Sequence, residues 1–201
     1  NTARTALTGS GTQTAALAFG GQGMSALTEL WNGTNWTEVN DLNTARRDLG
    51  GNGITTSSLA YGGDLPGVSA NTESWNGTNW TEVADLNTAR RLAGAGTDNT
   101  NALGIGGETP GGVSALTESW NGSIWTETTN LNVARQELAA TGASNSSALA
   151  FGGTLNNPEV AFTEEWNAGI NLGAWYTGGN LNTARQGGRS SGTQTAGLEA
   201  A

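Results

Sequence analysis

Apolar residues occur in short runs along this chain, separated by stretches rich in Gly, Thr, Asn and Ser. Within a run they alternate: Leu17 and Phe19 lie two positions apart, as do Leu59 and Tyr61, so each pair would point to one face of a strand. Short alternating runs bounded by turn residues predict β-strands. The Asn-Gly pair that begins at Asn76 lies between two Trp-containing segments. It predicts a type I′ hairpin turn, because both residues tolerate a positive φ.

The order of these segments recurs, so the chain is built from repeats. Asn-Thr-Ala-Arg begins at Asn1, Asn43, Asn87 and Asn182, and Asn-Val-Ala-Arg begins at Asn132. In each full unit the arginine is followed by a Gly-rich stretch, an apolar run that ends in Gly-Gly, a variable loop and a pair of tryptophans. The predicted units are residues 1–42, 43–86, 87–131 and 132–181, with a partial fifth unit at 182–201.

Each full unit contains four segments with strand character. In the third unit they are residues 91–96, 101–105, 116–120 and 124–127. Four antiparallel strands that recur at roughly 40- to 50-residue spacing are typical of β-propeller blades. The predicted fold class is therefore all-β: a β-propeller of four-stranded antiparallel blades, with four full repeats and a partial fifth.

The residues at the segment ends resemble those of kelch repeats. Gly-Gly closes the second strand, an aromatic residue lies in the third, Trp opens the fourth and Arg starts the next unit. The near-identical units containing Thr-Glu-Ser-Trp-Asn-Gly-Thr-Asn-Trp-Thr-Glu-Val are also similar to kelch-like arrays in proteins of marine bacteriophages. The resemblance covers residues 1–201 as a single kelch-like propeller domain. It implies a module of a virion, a tail fibre or a related surface assembly.

The last two units depart from the pattern. The fourth unit carries inserted residues between Trp166 and Trp175, which predicts a longer hairpin. The fifth unit stops where its own Gly-Gly would begin. We therefore expect the chain to be a fragment of a longer array or one part of an assembly of several chains, and homo-oligomer formation stays open.

Composition excludes several kinds of chemistry. The 201 residues include no His, no Cys and no Lys, and the net charge is −9. Without His or Cys, zinc and copper sites, a Ser-His-Asp triad and a cysteine nucleophile are excluded. A negative chain without clustered cations argues against binding to nucleic acids or anionic membranes, and no apolar run is long enough to span a membrane. We expect no cofactor and no metal ion.

The tryptophans and five of the arginines occupy repeat positions. The tryptophans could be platforms that stack sugars, or they could pack each hairpin against its neighbour. The arginines could line an anion-binding channel, or they could form ion pairs with the repeat glutamates. Residues locked in position in every unit are what structural repetition predicts, so both sets are assigned to structure. These residues are Trp31, Trp36, Trp75, Trp80, Trp120, Trp125, Trp166, Trp175, Arg4, Arg46, Arg90, Arg135 and Arg185.

The variable loops after each Gly-Gly are the candidates for recognition. They comprise residues 22–26, 64–71, 108–116 and 154–162. Because each loop leaves the same place in its unit, all four should emerge on one face. The alternative is neutral drift in solvent-exposed loops. The candidate ligand-binding residues are Met24, Asp64, Leu65, Val68, Glu108, Val113, Asn156 and Phe162.

These features favour a non-catalytic binding or structural module that recognises glycans or proteins through the loop face. The alternative is a propeller-scaffold glycosidase or lyase that uses paired carboxylates. Asp64, Glu108 and Glu159 are acidic residues outside the repeat pattern, but they lie in separate units and do not single out a pair. We therefore predict that the protein is not an enzyme, and we expect it on a virion or an extracellular surface.

Overall fold

The computed structural model describes residues 2–169 and 173–187, and the backbone of the strands at 189–193 and 196–200. In this part of the chain the regular secondary structure consists of β-strands, without a helix. The prediction of an all-β chain with four-stranded antiparallel sheets is confirmed, because each of the four full repeats forms one such sheet. A two-stranded hairpin follows the fourth sheet.

The strands follow one another along the chain as follows. The first repeat contains β1 (Thr8–Thr12), β2 (Ala15–Phe19), β3 (Thr28–Trp31) and β4 (Trp36–Val39). The second contains β5 (Gly50–Ile54), β6 (Ser57–Tyr61), β7 (Asp64–Leu65), β8 (Gly67–Val68), β9 (Thr72–Trp75) and β10 (Trp80–Glu82), of which β7 and β8 pair only with each other. The third contains β11 (Arg91–Asp98), β12 (Asn101–Thr109), β13 (Gly112–Trp120) and β14 (Trp125–Glu127). The fourth contains β15 (Ala139–Ser144), β16 (Ser147–Phe151), β17 (Thr163–Asn167) and β18 (Ala174–Thr177), and the last hairpin contains β19 (Arg189–Thr193) and β20 (Ala196–Ala200).

The sheets lie side by side in chain order. The first strand of each repeat contacts the first strand of the next, from β1 through β5, β11 and β15 to β19. No strand pairing among the described residues joins one of these sheets to the next. Side-chain packing and single backbone hydrogen bonds, such as that from Gly63 N to the carbonyl oxygen of Arg90 at 3.0 Å, join one sheet to the next. The result is a β-propeller-like architecture with the first strands innermost and the fourth strands at the rim.

The third repeat has longer strands than predicted. The loop expected at 108–116 is partly strand, since Glu108 pairs with Val113 and Thr109 pairs with Gly112. The Thr109 hydroxyl also donates to the carbonyl oxygen of Gly112 at 3.1 Å and closes the tip. The prediction was wrong here because the Gly-Gly of this repeat bends the strand through a bulge without ending it.

The Asn-Gly hairpins use a different turn from the predicted type I′. In the first hairpin the two tryptophans pair with four residues between them, so the loop is too long for a two-residue turn. Gly33 has a positive φ of 91°, but Asn32 does not. Instead, the Asn32 side-chain oxygen accepts hydrogen bonds from the backbone N–H groups two and three positions ahead, both at 2.9 Å. Asn76 and Asn121 do the same, so Asn is used here for its side-chain carbonyl, as in an Asx turn.

The fourth repeat keeps the tryptophan pairing despite its insertion. Trp166 pairs with Trp175 across β17 and β18, as the equivalent tryptophans do in the other repeats. Their connecting loop spans residues 168–173, of which 170–172 lie outside the described residues. Inserted residues therefore lengthen this hairpin without changing its register.

Apolar clusters lie between neighbouring sheets. Trp80 is buried, and its ring centroid lies 4.8 Å from that of Phe19 in the preceding repeat. Its Nε1 donates a hydrogen bond to Thr28 Oγ1 at 3.0 Å. Trp125 repeats both contacts one unit further along, with Tyr61 and the threonine equivalent to Thr28. The second tryptophan of these repeats therefore fastens its sheet to the sheet before it.

Trp36 is the exception among these tryptophans. It is 38% exposed, whereas Trp80, Trp125 and Trp175 are each 5% exposed. Trp175 continues the pattern by donating to Thr117 Oγ1 at 3.2 Å. Trp36 differs because no described sheet packs on its side of the first repeat.

A buried ion pair ties the start of each full repeat to its own third strand. In the second repeat, Arg46 Nη2 lies 3.0 Å from Glu73 Oε1, and both side chains are fully buried. Glu73 Oε2 accepts hydrogen bonds from Asn43 N and Asn43 Nδ2 at 2.7 and 2.9 Å. Asn43 Nδ2 also donates to the carbonyl oxygen of Trp80 at 3.0 Å. These hydrogen bonds offset the cost of burying two charges.

The same ion pair recurs in the other repeats. The equivalents are Arg4 with Glu29, Arg90 with Glu118 and Arg135 with Glu164. Burial lowers the pKa of Arg46 and Arg135 below the ordinary arginine value, and the facing glutamates oppose that change. The two conspicuous sequence motifs, Asn-Thr-Ala-Arg and the Trp-containing hairpin, are therefore two halves of one buried network.

Replacing Trp80 by Ala should lower the free energy of unfolding by about 3–5 kcal/mol, because the change leaves a cavity between two sheets. Thr28 also loses its hydrogen-bond donor. Chemical denaturation followed by circular dichroism measures this loss. Trp36→Ala is the matched control, with an expected loss below about 1 kcal/mol because that ring is more exposed. Equally small losses in both variants would contradict the assignment of the repeat tryptophans to packing.

Candidate functional site

The innermost strands surround a cavity of about 760 Å³, called here the central cavity. Residues from all five repeats line it, including Thr8, Gly50, Gly94 and Ala139. Small residues are required in this wall: a Cβ added at Gly50 or Gly94 would lie 2.7 or 2.3 Å from atoms of Tyr61. The Gly-rich stretches after each repeat arginine therefore let the inner strands approach one another.

Four pairs of residues lie around one end of this cavity. In each full repeat, the residue after the repeat arginine pairs with the first residue after Gly-Gly. In the second and fourth repeats, reciprocal backbone hydrogen bonds of 2.7 to 3.1 Å join the two residues. The first repeat has one such bond, at 2.7 Å. In the third repeat the two residues are partners in the pairing of β11 with β12. We call them the mouth pairs: Thr5 and Gln22, Arg47 and Asp64, Arg91 and Glu108, and Gln136 and Thr154.

The mouth pairs of the second and third repeats form one charged cluster. Arg47 donates to Asp64 Oδ2 from Nε at 3.0 Å and from Nη2 at 2.7 Å. Arg91 Nη2 lies 3.5 Å from the same oxygen, and Arg91 Nη1 donates to Glu108 Oε2 at 3.1 Å. The hydrogen bonds that Arg47 donates to the Asp64 carboxylate raise the pKa of the Arg47 guanidinium. These cations are therefore already paired with carboxylates, and Asp64 bridges two repeats.

Residues in the left-handed region follow the mouth pairs. Ala6, Asp48 and Glu137 have φ values of 54°, 52° and 53°, and Gly187 occupies the same position in the fifth repeat with φ 65°. Asp48 N donates to the carbonyl oxygen of Ala6 at 3.0 Å, and Gly187 N donates to that of Glu137 at 2.8 Å. Non-glycine residues with positive φ are uncommon and tend to occur at functional sites. The third repeat lacks this residue, since Leu92 follows Arg91 directly.

A second cavity of about 490 Å³ opens beside the fourth mouth pair, and we call it the unit-4 cavity. Its wall is mostly polar, with side-chain amides and two carboxylates. Two of its residues, Gln136 and Glu137, also line the central cavity. The full lining is Gln136, Glu137, Thr154, Asn156, Asn157, Pro158, Glu159, Ala184 and Gln186.

The structure brings only some of the predicted ligand-binding residues to these cavities. Glu108 lines the central cavity and Asn156 lines the unit-4 cavity. Asp64 is buried in the charged cluster, with a side chain that is 5% exposed. The predicted apolar residues are partly buried and line neither cavity. These are Met24, Leu65, Val68, Val113 and Phe162.

The repeat tryptophans also lie away from both cavities. Trp75, Trp120 and Trp166 are each 1% exposed, while Trp31 is partly buried. Arg185, which follows the same motif in the fifth repeat, is partly buried. Stacking platforms are therefore absent from the walls of these two cavities.

Sequence reasoning missed Asp48, Gln136, Glu137 and Gln186. A signal was present, because these residues directly follow the repeat arginine segment and differ from repeat to repeat. The length of this segment also differs: two residues separate the repeat arginine from the next leucine in the first, second and fourth repeats, and one residue separates them in the third. The loops after Gly-Gly contain only one residue of each mouth pair, and the other residue follows the repeat arginine.

No family model matches the chain, and the search of curated proteins found no significant match. Among solved structures, 161 chains match, so the architecture is one that many sequences adopt. One of them is described as "Structure of YjhT". It has a TM-score of 0.78 and 11% sequence identity, over 94% of this chain and 69% of that one. At this identity the likeness shows the fold alone.

The described residues contain no group of three or more acidic side chains that could hold a metal ion. They also contain no helix long and apolar enough to cross a membrane.

Replacing Asp64 by Asn should lower the free energy of unfolding by about 3 kcal/mol, because two arginines of adjacent repeats then lose their shared buried carboxylate. Urea denaturation at pH 7 measures the loss. Glu108→Gln is the matched control in the exposed part of the same cluster, with an expected loss below about 1 kcal/mol. Equal losses in the two variants would show that Asp64 does not join the second and third repeats.

Proposed function

We propose that this protein is a non-catalytic recognition module with a kelch-type β-propeller fold, which binds a glycan or a protein through its loop face. The loop face is the end of the molecule where the mouth pairs and the variable loops lie. The proposal rests on a contrast between two sets of residues: the buried arginines, glutamates and tryptophans that recur from repeat to repeat, called here the frame, and the mouth pairs. Buried Arg-Glu pairs recur in all four full repeats and the tryptophan contact between sheets recurs in the second to the fourth, whereas the four mouth pairs all differ.

The frame residues are accounted for by packing and hydrogen bonding. Asn43, Asn87 and Asn132 each donate to a buried glutamate at distances of 2.7 to 2.9 Å. Such regularity is what a repeated scaffold requires. The mouth pairs carry different charges on an equivalent backbone, and they lie beside the two cavities. Variation on a constant scaffold is the usual arrangement of a recognition surface.

The kelch type is supported by the Gly-Gly pair, which ends the second strand in the first, second and fourth repeats and bends it in the third. Gly62 and Gly63 have φ values of 63° and 100°, and Gly152 and Gly153 have values of 65° and 96°. These conformations favour glycine and let the chain turn sharply toward the loop face. The assignment to a bacteriophage virion or tail fibre is supported by the sequence resemblance alone. The exposed face around Trp36 supports a place in a larger assembly.

An enzyme remains the second candidate, because two carboxylates line one cavity. Glu137 and Glu159 both lie in the wall of the unit-4 cavity. Glycosidases use two carboxylates on either side of the scissile bond. The recognition role is preferred because it needs only the polar surface that is present and no defined carboxylate geometry.

We expect the purified protein to bind at least one ligand on an array of glycans, because its loop face offers amides and carboxylates in two cavities that share Gln136 and Glu137. Replacing residues 155–159 by a Gly-Ser segment of equal length should remove the binding. The control is a Gly-Ser replacement of residues 32–35 in the exposed hairpin between β3 and β4, which lies at the other end of β3 from the variable loop and should leave the binding unchanged. No glycan binding, together with capture of a protein of its own assembly, would make the glycan role wrong and leave a structural one.

No turnover is expected from this protein on a broad panel of chromogenic glycosides and polysaccharides. The measurement is release of the leaving group or of reducing ends over several hours. If turnover occurs and Glu137→Gln or Glu159→Gln abolishes it, the enzyme candidate replaces the recognition role.

A further inference from the structure

We infer that the unit-4 cavity is a binding subsite for an uncharged polyhydroxyl ligand, a small neutral saccharide. The inference rests on the proposed function and names the site and the ligand class. It comes from comparing one position across the repeats, where the fourth repeat has lost an ion pair that fills the same place in the second and third.

The mouth pairs make this comparison direct. The second repeat fills the position with an Arg47–Asp64 ion pair at 2.7 Å, and the third fills it with Arg91 and Glu108 at 3.1 Å. In the first repeat the Thr5 hydroxyl donates to the Gln22 side chain. Each of these three pairs is closed by contact between its own two side chains.

The fourth mouth pair keeps the backbone arrangement and changes the side chains. Gln136 N donates to the carbonyl oxygen of Thr154 at 3.0 Å, and Thr154 N donates back at 2.9 Å. The Thr154 hydroxyl turns to the carbonyl oxygen of Pro158 at 3.3 Å, not to Gln136. A threonine is also shorter than the acidic residue found here in the second and third repeats. The space that an ion pair fills elsewhere is therefore open, and a cavity of about 490 Å³ lies beside it.

The loop that walls the cavity is held at its base. Val160 N donates to the carbonyl oxygen of Gly153 at 2.9 Å, and Thr154 forms a β-bridge with Glu159. Between these bonds Asn156 has a φ of 85°, in the left-handed region that Asn tolerates better than most residues. The exposed residues 155–159 are thus carried on a closed loop and can present their polar groups to the cavity.

The charge of the wall points to the ligand class. Gln136, Asn156 and Gln186 offer amide groups, which both donate and accept hydrogen bonds. Glu137 and Glu159 add carboxylate acceptors. Sugar hydroxyls both donate and accept, so they match a wall of amides and carboxylates.

An acidic ligand does not fit this wall. Among the described residues that line the unit-4 cavity there is no arginine to pair with an anion. The nearest mouth arginines, in the second and third repeats, are already paired with Asp64 and Glu108. Negative charge brought to Glu137 and Glu159 would meet like charges. The volume lies within the range of small-molecule sites and leaves room for a small saccharide.

The test introduces the arginine-aspartate pair of the second repeat at the equivalent positions of the fourth repeat. The double variant Gln136→Arg with Thr154→Asp should fill the cavity without changing the net charge. The control, Thr34→Arg with Asn35→Asp, introduces the same two residues in the exposed hairpin between β3 and β4 of the first repeat, at the other end of β3 from the variable loop. Saturation-transfer NMR and titration calorimetry would be run on the full chain with methyl glycosides of glucose, galactose, mannose and N-acetylglucosamine. Glucuronate and glucosamine serve as the charged probes.

We expect at least one neutral glycoside to bind, with an affinity that falls at least about tenfold in the fourth-repeat variant and stays unchanged in the first-repeat control. If the double variant does not fold, Gln136→Ala provides the second test, with an expected weakening of about fivefold from the loss of one amide. Circular dichroism checks folding in each case.

The outcomes separate this inference from the proposed function. Sugar binding that persists in both fourth-repeat variants would overturn the subsite but leave the recognition module in place. Preferred binding of glucuronate or glucosamine would overturn the uncharged class. No binding of any sugar would overturn the inference, whereas the proposed function fails only if the glycan array and a search for a protein partner are both negative.

Discussion

The buried arginine-glutamate pair is the interaction on which the rest of each repeat depends. In the second repeat Glu73 holds Arg46 with one carboxylate oxygen and Asn43 with the other, and Asn43 in turn reaches the strand of Trp80. This network places the start of a repeat against its own third and fourth strands. It also fixes the backbone of the residue that follows the arginine, which is one member of a mouth pair. A structural ion pair thus determines where the variable side chains of the loop face stand.

Contacts between repeats depend on a different interaction. The second tryptophan of a repeat inserts toward the preceding sheet and donates its N–H to a threonine, as Trp80 does to Thr28. Apolar burial supplies most of the stabilisation, and the hydrogen bond keeps the indole nitrogen from being buried without a partner. The same contact recurs between successive sheets, and the inner strands line a common cavity.

The loop face shows how a constant backbone supports different local chemistry. Two mouth pairs close on themselves as ion pairs, one closes through a hydrogen bond, and the fourth stays open beside a cavity. The change from an arginine-carboxylate pair to Gln136 and Thr154 removes charge and volume at once. An array of near-identical units can in this way vary one position of its loop face while the buried Arg-Glu pairs of every full repeat are kept.

Much of the fold could be predicted from the sequence, because local signals agree in every repeat. Alternating apolar residues such as Leu17 and Phe19 specify strands, and the repeat length specifies their grouping into sheets. The turn at Asn32 was predicted in place but not in type, since a side-chain hydrogen bond there replaces the expected backbone conformation. Which off-pattern residues meet was decided by the tertiary structure. Asp64 bridges Arg47 and Arg91, and Gln136 shares a cavity with Gln186, because sheets packed side by side bring together residues about one repeat apart in sequence. No local sequence pattern specifies the spatial distance between such residues. That distance depends on how closely glycine and tryptophan let neighbouring sheets approach.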